Sequence, residues 1–300
     1  MNYKKYLKNQ KLRFAILNSL KWIPDKTMIK LQYRIKLGRK LNLKNPQRFT
    51  EKLQWYKLYY REPTMHKCAD KYEVRDYVRS KGLEKILNKL YGVYDTPDEI
   101  DFYKLPNNFV IKTTSGGGGQ NVLIVDKKNE PNYDEIKKKL NEWLSIKISK
   151  SLGREWAYEG NNNRIIIEKY LESPKQGIID YKFFCFDGKV EYLYVISDRN
   201  LGNNAKLGIY DKYFNKLNIS RTDEEIQNIA FVKPINYEQM VKYAEILSHD
   251  FPHARIDLYN IEGKIIFGEI TFYDGSGYMS FNPDSFDFEL GKKFKLVKKG

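Results

Sequence analysis

The sequence predicts an α+β protein in which helices come first and antiparallel sheets follow. Two observations predict this order. Residues 49–81 carry apolar side chains at helical spacing and are followed by Gly82, a residue typical of helix C-termini. Three later segments, 109–125, 180–197 and 254–271, each contain two apolar runs joined by a turn with glycine, which is the pattern of a β-hairpin.

The individual elements follow in chain order. Thr50 is predicted to cap a helix that opens at Phe49, and a second helix is predicted from Asp70 to Lys81. Asp187-Gly188 and Glu262-Gly263 are typical two-residue turns of hairpins. The remaining predicted elements are a charged helix at 134–148, a buried strand at 164–171 and a helix at 237–249.

Composition places the chain among globular proteins. It has 300 residues, of which 41% are apolar and 15% aromatic, enough to bury a substantial core. Cys68 and Cys185 are isolated, so they predict neither a zinc site nor a disulfide framework. No apolar run is long enough to span a membrane, and no signal peptide is visible. We therefore expect a cytoplasmic protein.

The positive charge is concentrated at the start of the chain. Net charge is +15, and residues 1–60 hold 16 lysines and arginines against Asp25 and Glu51, so they carry +14 of it. This block also contains apolar residues compatible with an amphipathic helix, which commonly lies on an anionic membrane. Such a segment can equally face an acidic polymer, or it can be a solvated helical face with no partner. Nucleic acid is disfavoured because no nucleic-acid-binding motif appears.

A glycine-rich hairpin is the most informative motif. Gly116 to Gly119 lie between two β-branched apolar runs, and Lys112 stands on the strand that enters the turn. Backbone amides without side chains in the way, with a lysine nearby, suit a chain of phosphates. The alternative is a bare hairpin tip with no ligand. The Walker motif places its lysine after the glycines, and Asn121 or Val122 stands where the dinucleotide-binding fingerprint needs its last glycine.

Charged side chains interrupt the apolar hairpin at 254–271. Arg255 and Asp257 alternate with Ile256 and so point to one face, which Glu269 on the partner strand reaches as well. A structural salt bridge explains this set. A Mg²⁺ site explains it equally, because hard cations take carboxylate oxygens and keep phosphate oxygens as further ligands.

The ordered set of motifs resembles the ATP-grasp superfamily, specifically its TupA-like branch, named for teichuronopeptide biosynthesis. The resemblance covers about residues 45–295. It is carried by Phe49-Thr-Glu-Lys-Leu-Gln-Trp-Tyr, Asp70-Lys-Tyr-Glu-Val-Arg, Phe109-Val-Ile-Lys with the glycine loop, Ile167-Glu-Lys-Tyr-Leu, Asp180-Tyr-Lys-Phe-Phe-Cys-Phe-Asp-Gly-Lys, Ser197-Asp-Arg, Arg255-Ile-Asp-Leu-Tyr and Gly268-Glu-Ile-Thr-Phe-Tyr.

The resemblance implies an ATP-grasp fold with a helical N-terminal region followed by two α+β lobes with antiparallel sheets. The expected units are a basic amphipathic segment (1–45), a helical lobe (46–105), a central lobe with the glycine-rich hairpin (106–170) and a C-terminal lobe with the metal site (171–300).

The resemblance also implies roles for single residues. ATP would be held by Arg75, Lys112, Ser115, Gly116, Gly117, Gly118, Gly119, Glu168, Lys169, Tyr170 and Leu171. Mg²⁺ would be bound by Asp257, Glu269 and Thr271, and Thr271 stands where the family usually has Asn, with Asp274 as a nearby substitute. Lys112 would hold the α- and β-phosphates, and Arg255 would stabilise charge on the transferring phosphoryl group or on the acyl intermediate. Both are expected to be catalytic. Lys182 and Arg199 are expected on the substrate side.

The function implied is an ATP-dependent ligase that joins a carboxylate to an amine in bacterial cell-surface polysaccharide synthesis. Expected partners are ATP, an anionic glycan or lipid-linked saccharide, and an amino acid or amino sugar, with peripheral contact to the inner face of the membrane through residues 1–45. One alternative is a glycosyltransferase, which the lack of any Asp-x-Asp motif disfavours. The other is a non-catalytic glycan- or membrane-binding module.

Overall fold

The computed structural model describes residues 19–115, 121–145, 151–172, 177–197 and 205–297. The α-helices in these ranges are α1 Asp25–Leu37, α2 Phe49–Tyr59, α3 Thr64–Ala69, α4 Val74–Ser80, α5 Tyr133–Leu144, α6 Tyr237–Ser248 and α7 Ser285–Lys293. The strands are β1 Leu90–Tyr94, β2 Asn108–Thr113, β3 Val122–Asp126, β4 Ile165–Lys169, β5 Asp180–Phe186, β6 Lys189–Ser197, β7 Lys206–Asp211, β8 Ser220–Arg221, β9 Glu225–Ile226, β10 His253–Ile261, β11 Lys264–Thr271 and β12 Phe281–Asn282. No helix in these ranges is long and apolar enough to cross a bilayer.

Two sheets organise the molecule, and both are built mainly from antiparallel hairpins. The central sheet has the strand order β1-β4-β2-β3, and the C-terminal sheet has the order β11-β10-β5-β6-β7-β9. A short third sheet pairs β12 with β8. Only the pairing of β7 with β9 is parallel among the described strands. The predicted α+β class with antiparallel sheets is therefore confirmed.

Helix α2 opens at Phe49 as predicted, but its capping differs from the prediction. Thr50 lies inside the helix, where its hydroxyl donates to Asp287 at 2.8 Å, so its predicted role as the N-cap is wrong. Glu51 satisfies the helix start instead, because its carboxylate accepts from the backbone N–H of Gln47 at 2.9 Å and of Arg48 at 3.2 Å. A glutamate three residues into a helix commonly reaches back in this way.

The helix predicted from Asp70 to Lys81 is only partly helical. The Asp70 carboxylate accepts from the backbone N–H of Tyr72 and Glu73 at 2.8 and 2.9 Å. A side chain that bonds its own following amides competes with the helix, so a turn precedes α4. That helix ends as predicted near Gly82, whose φ is +72°.

Both hairpin turns predicted in the C-terminal half are present. Asp187 and Gly188 have φ of +47° and +71°, and Glu262 and Gly263 have φ of +50° and +82°. Positive φ at both central residues gives a turn whose twist matches the flanking strands.

Strand β1 is not predicted by the sequence. It pairs with β4, so part of the region expected to be helical belongs to the central sheet.

Two cores hold these layers together. The larger one lies between the C-terminal sheet and helices α2, α6 and α7. At its centre the His253 ring is surrounded by Phe49, Phe186 and Phe294, with ring centroids 4.8–5.1 Å away. The smaller core joins the central sheet to α5. The faces of the two sheets outside these cores supply the side chains described next.

Candidate active site

A β-bulge in the last hairpin sets the geometry of the charged cluster. Starting at the turn, β10 and β11 pair residue for residue as far as Leu258, which lies opposite Phe267. The next pair is Asp257 with Glu269, so Gly268 has no partner and is the extra residue of the bulge. Directly opposed residues share a face, and the extra residue therefore brings Glu269 onto the face of Asp257. A side chain at Gly268 would approach the carbonyl oxygen of Asp257 to 3.0 Å, which favours glycine there.

Arg255 is the centre of this cluster. Its Nε and Nη2 donate to the two carboxylate oxygens of Asp257 at 2.7 and 2.8 Å. The same Nη2 donates to Glu269 at 2.9 Å, and Nη1 donates to Asp274. The Thr271 hydroxyl donates to Glu269 at 2.8 Å. One guanidinium therefore fixes three carboxylates, a use of its planar fork that lysine cannot reproduce.

Lys182 on the neighbouring strand β5 completes the cluster. It faces Asp257 in register and is only 4% exposed. Its ammonium donates to Asp257 and lies 2.8 Å from Asp180. The structure thus places Lys182, which was expected on the substrate side, inside the charged cluster.

The pKa values of Asp257 and Glu269 are shifted in opposite directions. Burial raises the pKa of Asp257 to about 6, against the opposing effect of Arg255 and Lys182. Burial also acts upward on Glu269, but the charges of Lys182 and Arg255 outweigh it and lower the pKa of Glu269 to about 2. Glu269, whose side chain is 41% exposed, is therefore a fixed negative charge at the edge of the cluster.

A second charged group lies on the central sheet. Lys112 on β2 and Glu168 on β4 occupy adjacent strands, and the Lys112 ammonium donates to Glu168 at 2.8 Å. Arg75 on α4 donates to the other Glu168 oxygen at 3.2 Å and to the carbonyl oxygen of Asn88 at 2.7 Å. Arg75 thereby buttresses Glu168, and its assignment as a phosphate contact stays a prediction.

Lys71 follows α3 and is bonded through its backbone to the segment that leaves β2, and the sequence did not single it out. Burial lowers its pKa, and the charges acting on it include Glu269 of the C-terminal sheet as well as Lys112 and Glu168 of the central sheet. Its backbone N–H donates to Thr114 on the segment that leaves β2. The sequence signal for Lys71 is its position directly after Asp70. Arg75 was predicted as the phosphate contact instead.

Several predicted residues flank these groups or lie beyond them. Ser115 donates to Asn163 at 2.6 Å, which fixes the point where the glycine-rich segment leaves β2. Lys169 ends β4, and its backbone N–H donates to Lys89. Tyr170 and Leu171 follow, both partly buried. Gly116, Gly117, Gly118, Gly119 and Arg199 lie outside the described residues.

The loop after β11 is held by the N-terminal helices. Gly275, Ser276 and Gly277 all have positive φ, between +48° and +66°. The buried Lys57 ammonium donates to the carbonyl oxygen and hydroxyl of Ser276 at 2.7 and 2.9 Å, and to the carbonyl oxygen of Gly153 at 2.9 Å. Gln54 donates to Gly277 at 2.9 Å. These contacts fix the loop next to Asp274, which Arg255 holds.

The donor set of the C-terminal cluster fits a Mg²⁺ ion bound together with phosphate. Asp257, Glu269 and Asp274 supply carboxylate oxygens around Arg255, and Mg²⁺ is commonly held by one or two carboxylates with phosphate oxygens and water completing its shell. Within the described ranges no group of three or more acidic, histidine or cysteine side chains forms an all-protein metal cage.

Comparison with known proteins identifies the relatives of this arrangement. A family model described as TupA-like ATPgrasp matches residues 51–295. Comparison with curated protein sequences gives no match.

Solved structures similar to this chain include two D-alanine–D-alanine ligases. The ligase from Bacillus anthracis complexed with ATP shares 17% identity, with a TM-score of 0.42 over 68% of this chain and 55% of that one. The Helicobacter pylori ligase shares 16%, with a TM-score of 0.43 over 76% and 61%. A biotin carboxylase from Campylobacter jejuni in complex with β,γ-ATP shares 12%, with a TM-score of 0.46 over 77% and 47%. The chain thus spans less than two thirds of the length of each of these proteins.

Proposed function

The chain belongs to the TupA-like ATP-grasp family, and on this premise we propose that it is an ATP-dependent ligase that joins a carboxylate to an amine. The predicted family and the α+β ATP-grasp fold class are confirmed by the family match. The roles of individual residues, the substrates and the metal are proposals supported by the geometry.

One observation carries the proposal. Helix α3 packs against β11 of the C-terminal sheet, and the backbone N–H of Lys71, just after α3, donates to the carbonyl oxygen of Thr114 at the end of β2, so one short segment contacts both sheets that carry the charged groups. A triphosphate needs cations along its length and carboxylates for its metal ion. This arrangement supports binding of Mg²⁺·ATP between the sheets, with Lys112 and Lys71 facing phosphate oxygens.

The proposed reaction proceeds in two balanced steps. A carboxylate oxygen of the substrate attacks the γ-phosphorus of ATP, the bond between that phosphorus and the β,γ-bridging oxygen breaks, and ADP leaves with an acyl phosphate formed. The amine then attacks the acyl carbon, the bond from that carbon to the phosphate oxygen breaks, and phosphate and one proton leave with the amide. The phosphate is the leaving group that a carboxylate lacks.

The protein's part in this chemistry is alignment and charge neutralisation. Arg255 is fixed by Asp257 and Asp274 and would stabilise negative charge on the transferring group. Asp257, Glu269 and Thr271 would hold Mg²⁺, which when bound supplies Lewis-acid polarisation of phosphate oxygens. The resemblance assigns the cover of the phosphates to Ser115 and Gly116 to Gly119, of which the structure describes Ser115, held by Asn163 at 2.6 Å.

The basic N-terminal region supports an anionic substrate, a uronic acid of a bacterial cell-surface polysaccharide, with an amino acid or amino sugar as the amine. Helix α1 exposes Lys26, Lys30 and Arg34 on one side, with Leu31 and Ile35 exposed beside them. Trp22 just before the helix is 79% exposed. A basic face beside exposed apolar residues is typical of peripheral contact with an anionic membrane, in a protein working at its cytoplasmic side.

The test is a calorimetric titration with a non-hydrolysable ATP analogue, with and without Mg²⁺. Magnesium-dependent binding that is lost in Lys112→Met and Glu269→Gln and kept in the surface variant Lys128→Met supports the proposal. Absence of binding to folded protein would overturn it. Deleting residues 1–40 tests the membrane and glycan part separately, since that part fails if association with anionic vesicles and acidic glycans is unchanged.

A further inference from the structure

A basic cleft lies on the N-terminal helices, outside the nucleotide site. Its volume is about 640 Å³, within the range of small-molecule sites. Lys26 and Lys30 reach it from α1, and Lys40 and Lys44 reach it from the segment that follows. Tyr59 at the end of α2 lines it as well. We call these five residues the lysine cleft.

Within the described residues, no carboxylate balances the charge of the lysine cleft. None of its four lysines forms an ion pair with a carboxylate of the described residues, and no acidic side chain lines the cleft. Some lysines elsewhere do have such partners, as with Lys81 and Asp250 at 2.6 Å. Like charges one helical turn apart, such as Lys26 and Lys30, oppose folding. An anionic ligand removes this cost.

The segment that carries two of the lysines is built in a defined shape. Gly38 ends α1 with φ of +70°, and its N–H donates to Arg34 at 2.9 Å, so the chain turns back beside the helix. The carboxylate of Glu51 then accepts from the backbone N–H of Asn42 at 3.2 Å. Leu41 between the lysines is buried. Fixed supports of this kind reduce the entropy lost when a ligand binds.

The chemistry of the lining indicates the ligand class. Four separate ammonium groups on two elements match single negative charges spaced along a chain, since lysine acts on carboxylates as a point charge. The Tyr59 ring offers an amphipathic face for the ring of a sugar, and the concave shape suits a ligand that enters between α1 and the segment that follows it. We propose that the lysine cleft binds a short run of an acidic saccharide whose units carry carboxylates.

This inference rests on the proposed function for the acidic glycan, and it adds where that glycan is held. The lysine cleft would anchor the polymer on the helical lobe while one of its carboxylates reaches the nucleotide site. It predicts that glycan binding and ATP binding are carried by different residues. Loss of one would therefore leave the other in place.

The experiment is a calorimetric titration of the full chain with tri-galacturonic acid, beside the uncharged trisaccharide maltotriose, at low and moderate salt. The cleft variants are Lys40→Gln/Lys44→Gln and Lys26→Gln/Lys30→Gln, which change two different elements. The matched control is Lys128→Gln/Lys138→Gln, two exposed lysines of the central lobe. Each protein is also titrated with the ATP analogue and with phosphatidylglycerol vesicles, and its thermal unfolding is recorded.

The expected result is that tri-galacturonic acid binds the unaltered chain and maltotriose does not. Each cleft variant should bind the acidic trimer at least tenfold more weakly, whereas the control pair stays within twofold and ATP-analogue binding is unchanged in all. Equal losses in cleft and control pairs, no binding of the trimer, or a loss confined to vesicle binding would each overturn the inference. Failure of ATP-analogue binding alone would overturn the proposed function and leave the cleft assignment standing.

Discussion

The ammonium of Lys57 lies 2.7 Å from the carbonyl oxygen of Ser276, so the N-terminal helix α2 directly holds the loop that follows the charged strand. Lys57 is 1% exposed, and its hydrogen-bond partners among the described residues are carbonyl and hydroxyl oxygens instead of a carboxylate. Burial accordingly lowers its pKa to about 7. This contact joins two parts of the chain that the sequence alone leaves unrelated.

The first prediction concerns pH and Lys57. The unfolded chain protonates this lysine at its ordinary pKa of 10.5, whereas the folded pKa is about 7, so the unfolded state binds more protons between these values. The contribution of the wild-type lysine to stability should therefore rise as pH increases from 7 to 10.5. The free energy of unfolding of wild type minus that of Lys57→Met should increase across this window by on the order of a few kcal/mol. Urea unfolding at several pH values measures it, and parallel curves for the two proteins would contradict the assignment.

The second prediction concerns Lys112. Its ammonium lies 2.8 Å from Glu168 and is expected to turn to phosphate when ATP binds. Lys112→Met should weaken binding of the ATP analogue by roughly 10- to 100-fold, as for the loss of a charge-assisted hydrogen bond. Lys128→Met removes the same charge from the surface of the same lobe and should leave affinity unchanged. An equal effect of both substitutions would mean that only net charge matters.

The third prediction separates two carboxylates that share a face. Glu269→Gln and Asp257→Asn should both abolish the magnesium-dependent part of ATP-analogue binding. Only Asp257→Asn should also lower the free energy of unfolding, by about 3 kcal/mol, because Asp257 is 1% exposed and its loss leaves Arg255 and Lys182 without their shared partner. Glu269 is partly exposed, so its replacement should cost less than about 1 kcal/mol. Urea unfolding of the three proteins checks this, and similar losses in both variants would refute it.

The fourth prediction concerns the contact of Gly153 with the loop after β11. A Cβ atom at Gly153 would lie 2.6 Å from the Ser276 hydroxyl, so Gly153→Ala should destabilise the protein by about 1–3 kcal/mol. Adding Ser276→Gly removes the clashing oxygen and relieves a positive φ, and should restore part of this loss, because the buried Lys57 ammonium also loses the Ser276 hydroxyl as an acceptor. Thermal unfolding of the single and double variants decides the matter. A double variant no more stable than Gly153→Ala alone would show that the clash is not the cause.

The hairpins could be predicted because their signals are local. Strand alternation and turn residues such as Asp187-Gly188 act within a few positions, and the same alternation placed Arg255 and Asp257 on one face. The shared face with Glu269 was predicted correctly, but the bulge at Gly268 that produces it was not. The sequence signal for this bulge is an isolated glycine within a strand, and it was not used.

Other parts of the site could not be predicted because distant segments create them. Lys57 and Lys71 resemble many lysines in this chain until the fold places them against Ser276 and near Glu269. Thr50 fails as a cap because Asp287, far along the chain, takes its hydroxyl. Their roles depend on tertiary contacts that no short window of sequence contains.

The single extra residue at Gly268 has an evolutionary consequence. Deleting it would restore even pairing along β10 and β11, and every side chain beyond it would turn to the opposite face. Glu269 and Thr271 would then face away from Asp257, and Ile270 would take their side of the sheet. Lineages of this chain are therefore expected to gain or lose residues in the surface loops while the length of the segment from Asp257 to Glu269 stays constant.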